Sequence, residues 1–189
     1  MQTAEILDHV RLALEVPPSS RVLSMLLGNV AGAPVDVRFT DNDFEVMLEA
    51  FRIELAALLN LEPIPSYVRA LYFGLSAIAV SDEPSWLHIM GSPEYSEENR
   101  RWAASSDDHW LPGPRHFKLH ELHVLLDKLS GPVQHAAGMY VGGELVKSAK
   151  AMLINNAPSS EPMPVCVGWD HAEILRLGYV SKLGWTNNG

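Results

Sequence analysis

Three histidines and an aspartate recur at helical spacing in the second half of the chain. His116, His120, His123 and Asp127 follow one another at intervals of four, three and four residues. At about 100° per residue, their side chains point within about 60° of one direction on a helix and form a single stripe. Imidazoles one turn apart can both ligate a metal ion, and zinc favours imidazole ligands. One interpretation of the stripe is therefore a zinc site of a metal-dependent enzyme that uses the three histidines.

This metal site needs ligands from outside the helix, because one straight helix cannot surround an ion. His88, His109 and Asp107 are the candidates we identify for this purpose. The zinc-helix motif His-Glu-x-x-His is absent, since the histidine after His120 follows at three residues and not at four. The competing interpretation is a polar helix face in water, with His116 simply at the helix start. We favour that interpretation and expect no cofactor.

A segment rich in tryptophan and acid precedes the histidine stripe and covers residues 102–115. Its Pro-Gly-Pro stretch stiffens the backbone, which reduces the entropy that a binding loop loses, and Trp and Arg dominate interface energies. We predict that five of its residues bind a protein partner: Trp102, Asp107, Asp108, Trp110 and Arg115. In the alternative, both indoles fold inward and anchor a long loop on the sheet. Replacing Trp110 by Ala separates the two, since it abolishes binding in the first case and the folded state in the second.

Other catalytic patterns are weak or missing. Cys166 lies in an apolar stretch shortly before Asp170 and His171, but a buried cysteine that acts as a small hydrophobic residue is the expected state. The chain has neither a Gly-x-Ser-x-Gly elbow nor a phosphate-binding loop. The acids Glu94, Glu97 and Glu98 are explained by an exposed turn, because no apolar pocket is implied that would raise a pKa. We therefore expect a protein that is not an enzyme.

The charge distribution restricts the classes of partner. The 189 residues carry a net charge of −9, and residues 82–108 contain seven acids against Arg100 and Arg101. Nucleic acid is an unfavourable partner, because its phosphates are bound by clusters of Lys and Arg. A basic protein is a better one, since complementary potentials accelerate encounter. The N-terminus lacks the pattern of a secretory signal, and no apolar run reaches the length of a membrane helix. With a single cysteine, these features indicate a cytoplasmic protein.

The secondary-structure pattern predicts a single α+β domain over residues 1–189, with helices packed on a mainly antiparallel sheet. Helices are expected over residues 3–15, 44–59, 116–129 and 133–154, and residues 21–30 fit either helix or strand. Thr40 to Asp43 resembles a capping box for the second of these helices. The paired glycines Gly142 and Gly143 indicate a break in the last one.

Strands are predicted over residues 35–39, 67–80, 86–90, 165–169 and 174–180. The second of them is rich in aromatic and β-branched residues and should be central, buried on both faces, and it should form a hairpin with the third. Residues 91–113 are polar and rich in turn residues, with one helical turn around residues 97–102. The sequence therefore predicts a mainly antiparallel sheet, and the candidate site residues lie within residues 86–123.

Three short motifs resemble a known class of bacterial proteins. They are Ala-Leu-Tyr-Phe-Gly at residues 70–74, the tryptophan and acid segment at residues 102–115, and Val-Cys-Val-Gly-Trp-Asp at residues 165–170. In this combination the chain is similar to uncharacterised cytoplasmic proteins that are encoded near polymorphic toxins and proposed as immunity proteins. The resemblance implies a non-enzymatic inhibitor that binds a basic toxin domain. This chain has His171 and Ala172 where similar sequences have an acidic pair.

A third function class remains open beside partner binding and metal-dependent catalysis. The segment at residues 133–154 contains small residues that allow close packing against another element: Ala136, Ala137, Gly138, Gly142, Gly143 and Ala149. A homodimer assembled through this helix, acting as a structural or small-molecule-binding protein, would use them. An apolar pocket and the mass in solution separate this alternative from the others.

Overall fold

The N-terminal third of the chain forms three helices in the computed structural model, which describes residues 3–80, 83–104, 107–170 and 173–187. They are α1 (Thr3–Leu14), α2 (Ser20–Ala31) and α3 (Asp41–Leu61). Thr40 caps α3 as predicted, because its side chain accepts from the Asp43 amide while the Asp43 carboxylate accepts from the Thr40 amide. Asp therefore replaces the usual Glu of a capping box. Residues 21–30, for which the pattern allowed helix or strand, are helical.

The strand predicted over residues 35–39 is wrong. These residues form an irregular segment before α3, although Phe39 is buried against Phe44 with ring centroids 4.9 Å apart. The alternation of apolar and polar residues reflects a segment with one side packed on the helices. A strand also needs a partner for its backbone groups, and the described sheet supplies none here.

The sheet has six strands in the order β3-β2-β1-β4-β5-β6. Their bounds are β1 (Ala70–Val80), β2 (Glu83–Ser92), β3 (His116–Phe117), β4 (Met163–Trp169), β5 (Ile174–Ser181) and β6 (Gly184–Asn187). All neighbouring pairs are antiparallel except β1 with β4. The predicted hairpin of β1 and β2 and the central position of β1 are confirmed, and so is the α+β class with a mainly antiparallel sheet. The short strand β6 was not predicted.

The helix predicted over residues 116–129 is shorter than expected. His116 and Phe117 form β3 and pair with His88 and Leu87 of β2, and α4 covers only His120–Asp127. Helical periodicity continues into β3 by coincidence, since a two-residue strand is too short to show its own period. Cross-strand pairing with β2 decides the conformation of His116.

The segment from residue 131 to 156 forms two helices, α5 (Gly131–Ser148) and α6 (Lys150–Asn156), with the break at Ala149 and not at the paired glycines. A Cβ atom on Gly143 would lie 2.9 Å from Leu14 of α1, and one on Gly138 would lie 2.6 Å from Trp169 of β4. These glycines therefore allow close packing within the chain, which offsets their cost to the helix. No helix in the described part of the chain combines the length and apolarity needed to cross a bilayer.

The two faces of the sheet have different surroundings. The inner face packs against the helices through alternate residues such as Phe73, Ile89 and Val167, which belong to the main hydrophobic core. The outer face carries the intervening residues and a second, smaller core. His88, His116 and the segment between β2 and β3 lie on or beside this outer face, whereas His120 and His123 lie on α4.

Candidate functional site

The small core on the outer face is built from all three central strands. It contains Ala70, Tyr72, Met90, Trp102 and Cys166, and Tyr95, Ala103, Leu111 and Ile174 pack against it. Several of these side chains come from the segment between β2 and β3. We call its described residues, 93–104 and 107–110, the acidic segment. A short 3-10 helix (Arg100–Ala103) places the Trp102 indole on the sheet.

Trp102 anchors the first half of the acidic segment. Only 6% of the residue is exposed, and its ring meets Tyr95 and Tyr72 edge-on, with centroids 5.1 and 6.1 Å apart. Its Nε1 donates a hydrogen bond of 2.9 Å to the Ser96 carbonyl oxygen. The polar end of the indole is therefore satisfied within the same segment, as a buried tryptophan requires.

Trp110 anchors the second half of the acidic segment. It is also 6% exposed and belongs to the main core. Its amide donates to the Gly91 carbonyl oxygen at 2.8 Å, and the Gly91 amide donates back at 3.0 Å. A Cβ atom on Gly91 would lie 3.1 Å from the Trp110 ring, so glycine allows the indole to lie against the strand. Both tryptophans thus occupy the anchoring positions of the second alternative above.

Carboxylates outnumber the cations among the exposed groups of the acidic segment, in which Arg101 is also exposed. Five acids of the segment are exposed: Glu94, Glu97, Glu98, Asp107 and Asp108. Glu97 forms an ion pair with Arg176 of β5, and Asp108 Oδ1 lies 3.1 Å from His109 Nδ1. The His109 Nε2 atom lies 2.7 Å from the Trp102 carbonyl oxygen, which links the two halves of the segment. Arg115 is half-buried, and its carbonyl oxygen accepts from the Ile89 amide.

A row of residues crosses the outer face beside this segment. His116, His88, Gly74 and Gly168 are successive cross-strand partners on β3, β2, β1 and β4. The rings of His116 and His88 are 5.7 Å apart, and the His88 Nε2 atom lies 3.7 Å from Asp170 Oδ1. A Cβ atom on Gly74 would lie 2.2 Å from His88 Cε1, so glycine is required for the imidazole to lie on the strand. The register of the sheet therefore brings together two histidines and a carboxylate that are distant in sequence.

Burial dominates the electrostatics of this row. It lowers the pKa of His88, which is 9% exposed, and the Asp170 carboxylate opposes that effect while His116 and Arg115 add to it. Burial also lowers the pKa of His116 and raises that of Tyr72. Burial thus favours the neutral form of both imidazoles and of the Tyr72 hydroxyl.

Cys166 is a core residue, as expected from its apolar strand. It is almost fully buried beside Tyr72, and burial raises the pKa of its thiol to about 12. A thiol in this environment is not a nucleophile at neutral pH. His171, which the sequence suggested as a base for it, lies outside the described residues.

The predicted metal ligands are separated in the structure. His116 lies on β3 beside His88, whereas His120 and His123 lie on α4. The His123 Nδ1 atom accepts a hydrogen bond of 3.0 Å from Trp86 Nε1. His120 lines a cavity of about 470 Å³ between α4 and residues 36–43. Among the described residues, no three His, Cys, Asp or Glu side chains are arranged to hold a metal ion, and the single helical stripe is wrong because His116 is not helical.

Sequence reasoning considered His88 near His116 only as an added metal ligand and missed their grouping with Asp170 and Tyr72. Each residue lies on a different element, and only the strand register places them together. The one usable signal was the pair of short apolar motifs that end in glycine at residues 74 and 168. Glycine within a strand often marks a close approach of another group: a Cβ atom on Gly74 would meet the His88 ring, and one on Gly168 would meet the backbone of Glu173 and Ile174.

No protein-family model matches this chain, and neither a curated protein nor a solved structure is significantly similar to it.

Proposed function

We propose that the protein is a non-enzymatic binding protein whose acidic segment docks against a basic protein partner. The observation that carries the proposal is the attachment of this segment at two buried indoles, Trp102 and Trp110, with exposed carboxylates between and beside them. The contact groups are then chiefly Asp107 and Asp108. The tryptophans hold the surface in place and do not themselves supply its exposed area.

Rigidity supports the proposal. The segment is attached by the Trp102 to Ser96 hydrogen bond, by the contact of His109 with the Trp102 carbonyl oxygen and by the pairing of Trp110 with Gly91. A surface that is already ordered loses little conformational entropy when it binds, so more of its interaction energy appears as affinity.

Charge supports the proposal as well. Exposed carboxylates at the rim of an interface act mainly on the rate and specificity of association, through complementary potential. The chain as a whole carries a net charge of −9, which favours encounter with a basic surface. The sequence resemblance described above supports the narrower proposal of a toxin domain as partner, and, with the single cysteine, a site of action in the bacterial cytoplasm.

Site-specific photo-crosslinking in the cells that make the protein tests this proposal. A photoreactive phenylalanine analogue replaces Asp107 in one variant and Glu45 of α3, which is also an exposed acid, in the matched control. We expect one basic protein to be crosslinked from position 107 and not from position 45, and mass spectrometry identifies it.

Three results would contradict the proposal. They are the absence of any product from position 107, the same products from both positions, and a specific product whose protein is acidic. Circular dichroism of each variant verifies that the fold is retained, since both positions are exposed and neither side chain contributes to a hydrophobic core.

A further inference from the structure

A second concave region lies on the other side of the molecule from β3, where α1, the junction of α5 and α6, and the last strands meet. Its volume is about 700 Å³, within the range of about 300–1,000 Å³ that small-molecule sites occupy. Leu14, Leu175 and Leu177 form its apolar wall. The remaining lining residues are Arg11, Glu15, Lys147, Lys150, Arg176 and Asn187. We call it the basic cavity.

The composition of the basic cavity contrasts with that of the whole chain. Four of its nine lining residues are cations and one is an acid, although the protein carries a net charge of −9. Like charges repel, so their convergence on one cavity in an acidic protein requires a compensating interaction. The contacts of each cation show which of the positive charges are paired with a carboxylate of the chain and which are not.

Lys147 is fully engaged within the chain. Its ammonium donates to the Leu14 carbonyl oxygen and forms a 2.9 Å ion pair with the buried carboxylate of Glu144. Lys147 thereby links the C-terminal end of α1 to α5. Lys147 adds positive potential to the cavity, but its ammonium already has partners within the chain and is not the main contact for a ligand.

Lys150 is the lysine of the cavity that forms no ion pair with a carboxylate among the described residues. Its Nζ atom lies 3.4 Å from the Asn187 amide oxygen and 4.9 Å from the centre of the Trp185 ring. Among the residues that the structure describes, no carboxylate forms an ion pair with it. Burial lowers the pKa of Lys150 and the neighbouring charge of Lys147 lowers it further, whereas the Glu144 carboxylate opposes both effects. An ammonium held beside another ammonium, facing a cavity, is stabilised by a bound anion.

The carboxylates that form ion pairs with the two arginines of the cavity are exposed, and Arg176 also donates a hydrogen bond to the Tyr95 hydroxyl. Arg11 contacts Asp8, whose side chain is largely exposed, and Arg176 contacts Glu97, which is also largely exposed. Surface ion pairs contribute about 0–1 kcal/mol, so an anionic ligand can replace these carboxylates at little cost. Guanidinium groups also match the planar geometry of phosphate and carboxylate oxygens.

We propose that the basic cavity binds a small molecule with two or more anionic groups, and that Lys150 makes the contact on which binding depends. Phosphate and carboxylate groups share the required chemistry. The three leucines allow for a short apolar part of the ligand between its charged ends. This site adjoins the acidic segment through the ion pair of Arg176 with Glu97, but the proposal does not rest on the proposed protein partner.

Isothermal titration calorimetry tests the proposal with two probes, inorganic pyrophosphate and citrate, which stand for the phosphate and carboxylate sources. We expect the wild-type protein to bind at least one of them at millimolar concentration or below, and Lys150→Gln to weaken that binding about 10-fold or more, since charge-assisted hydrogen bonds are among the strongest. The matched control is Lys182→Gln, which removes an exposed lysine that does not line the cavity.

The results that support the proposal differ from those that overturn it. Retained binding in Lys182→Gln with loss in Lys150→Gln supports the site, and the probe that binds identifies the anion type. Absence of binding to both probes overturns the proposal, as does an equal effect of the two substitutions, which would indicate a diffuse response to net charge. The variant Asp107→Lys/Asp108→Lys should bind the probe as the wild type does, so failure of the partner proposal leaves this one intact.

Discussion

Replacing Trp110 by Ala tests whether the acidic segment is anchored by a buried indole. The indole belongs to the main core and is 6% exposed. A tryptophan buries about 150–250 Å², which at about 25 cal/mol per Å² corresponds to about 4–6 kcal/mol. Truncations of buried Trp to Ala cost about 3–5 kcal/mol in practice, because the site partly relaxes. We therefore expect Trp110→Ala to lower the unfolding free energy by about 4 kcal/mol.

Urea denaturation followed by circular dichroism measures this loss. With a dependence of roughly 2 kcal/mol per molar urea, 4 kcal/mol shifts the midpoint down by about 2 M. Since domains are stable by about 5–15 kcal/mol, the variant should remain at least partly folded in buffer. The control is Leu183→Ala, because Leu183 is 84% exposed at the turn between β5 and β6, and such changes stay within about 0.5 kcal/mol.

A midpoint shift below about 0.5 M for Trp110→Ala, equal to that of the control, would refute the reasoning. It would mean that the indole contributes no core packing. The first alternative, in which Trp110 contacts the partner directly, would then be restored. A large shift instead means that loss of partner binding in this variant reports on folding and not on a contact.

Two further predictions concern the row of residues on the outer face. Gly74→Ala places a Cβ atom 2.2 Å from the His88 ring, so we expect the unfolding free energy measured by urea denaturation to fall by about 1–3 kcal/mol. The control is Gly28→Ala, which should be neutral or stabilising because the nearest atom lies at an ordinary 3.7 Å. Equal effects of the two substitutions would contradict the close packing of His88 on Gly74. Burial holds the pKa of His88 below its ordinary value of 6.5, so the folded state binds fewer protons than the unfolded state. The contribution of His88 to stability is therefore present above pH 6.5 and is lost as the pH falls below it. The unfolding free energy should therefore decrease less steeply between pH 7 and pH 5 in His88→Gln than in the wild type, and parallel profiles would exclude this role of His88.

Features set by local chemistry were predictable from the sequence. The capping box at Thr40 and the apolar face of α3 depend on residues within a few turns of one another, and both agree with the structure. The hairpin of β1 and β2 follows in the same way from two adjacent apolar runs. The class of fold could be inferred because the order of helices and strands excludes a regular alternation.

Features set by long-range packing were not predictable. Local propensity indicated a break at Gly142 and Gly143, but contacts of α5 with Leu14 and Val167 keep the helix continuous there. His116 has helical spacing to His120, yet its pairing with His88 makes it a strand residue. The two indoles were compatible with either an exposed or a buried state, because tryptophan has both an apolar body and a polar handle. The tertiary contacts decide for the buried state: Gly91 leaves room for the Trp110 ring, and the small outer core contains Trp102.

The affinity of the crosslinked partner for two charge-reversal variants tests the central claim most directly. Asp107→Lys/Asp108→Lys reverses two exposed charges of the acidic segment, and Glu45→Lys/Glu49→Lys makes the same change on the exposed side of α3. We predict that the first variant binds the partner about 10- to 100-fold more weakly, mainly through slower association, and that the second stays within about 3-fold of the wild type. Equal affinities of the two variants would contradict the claim that the acidic segment is the binding surface.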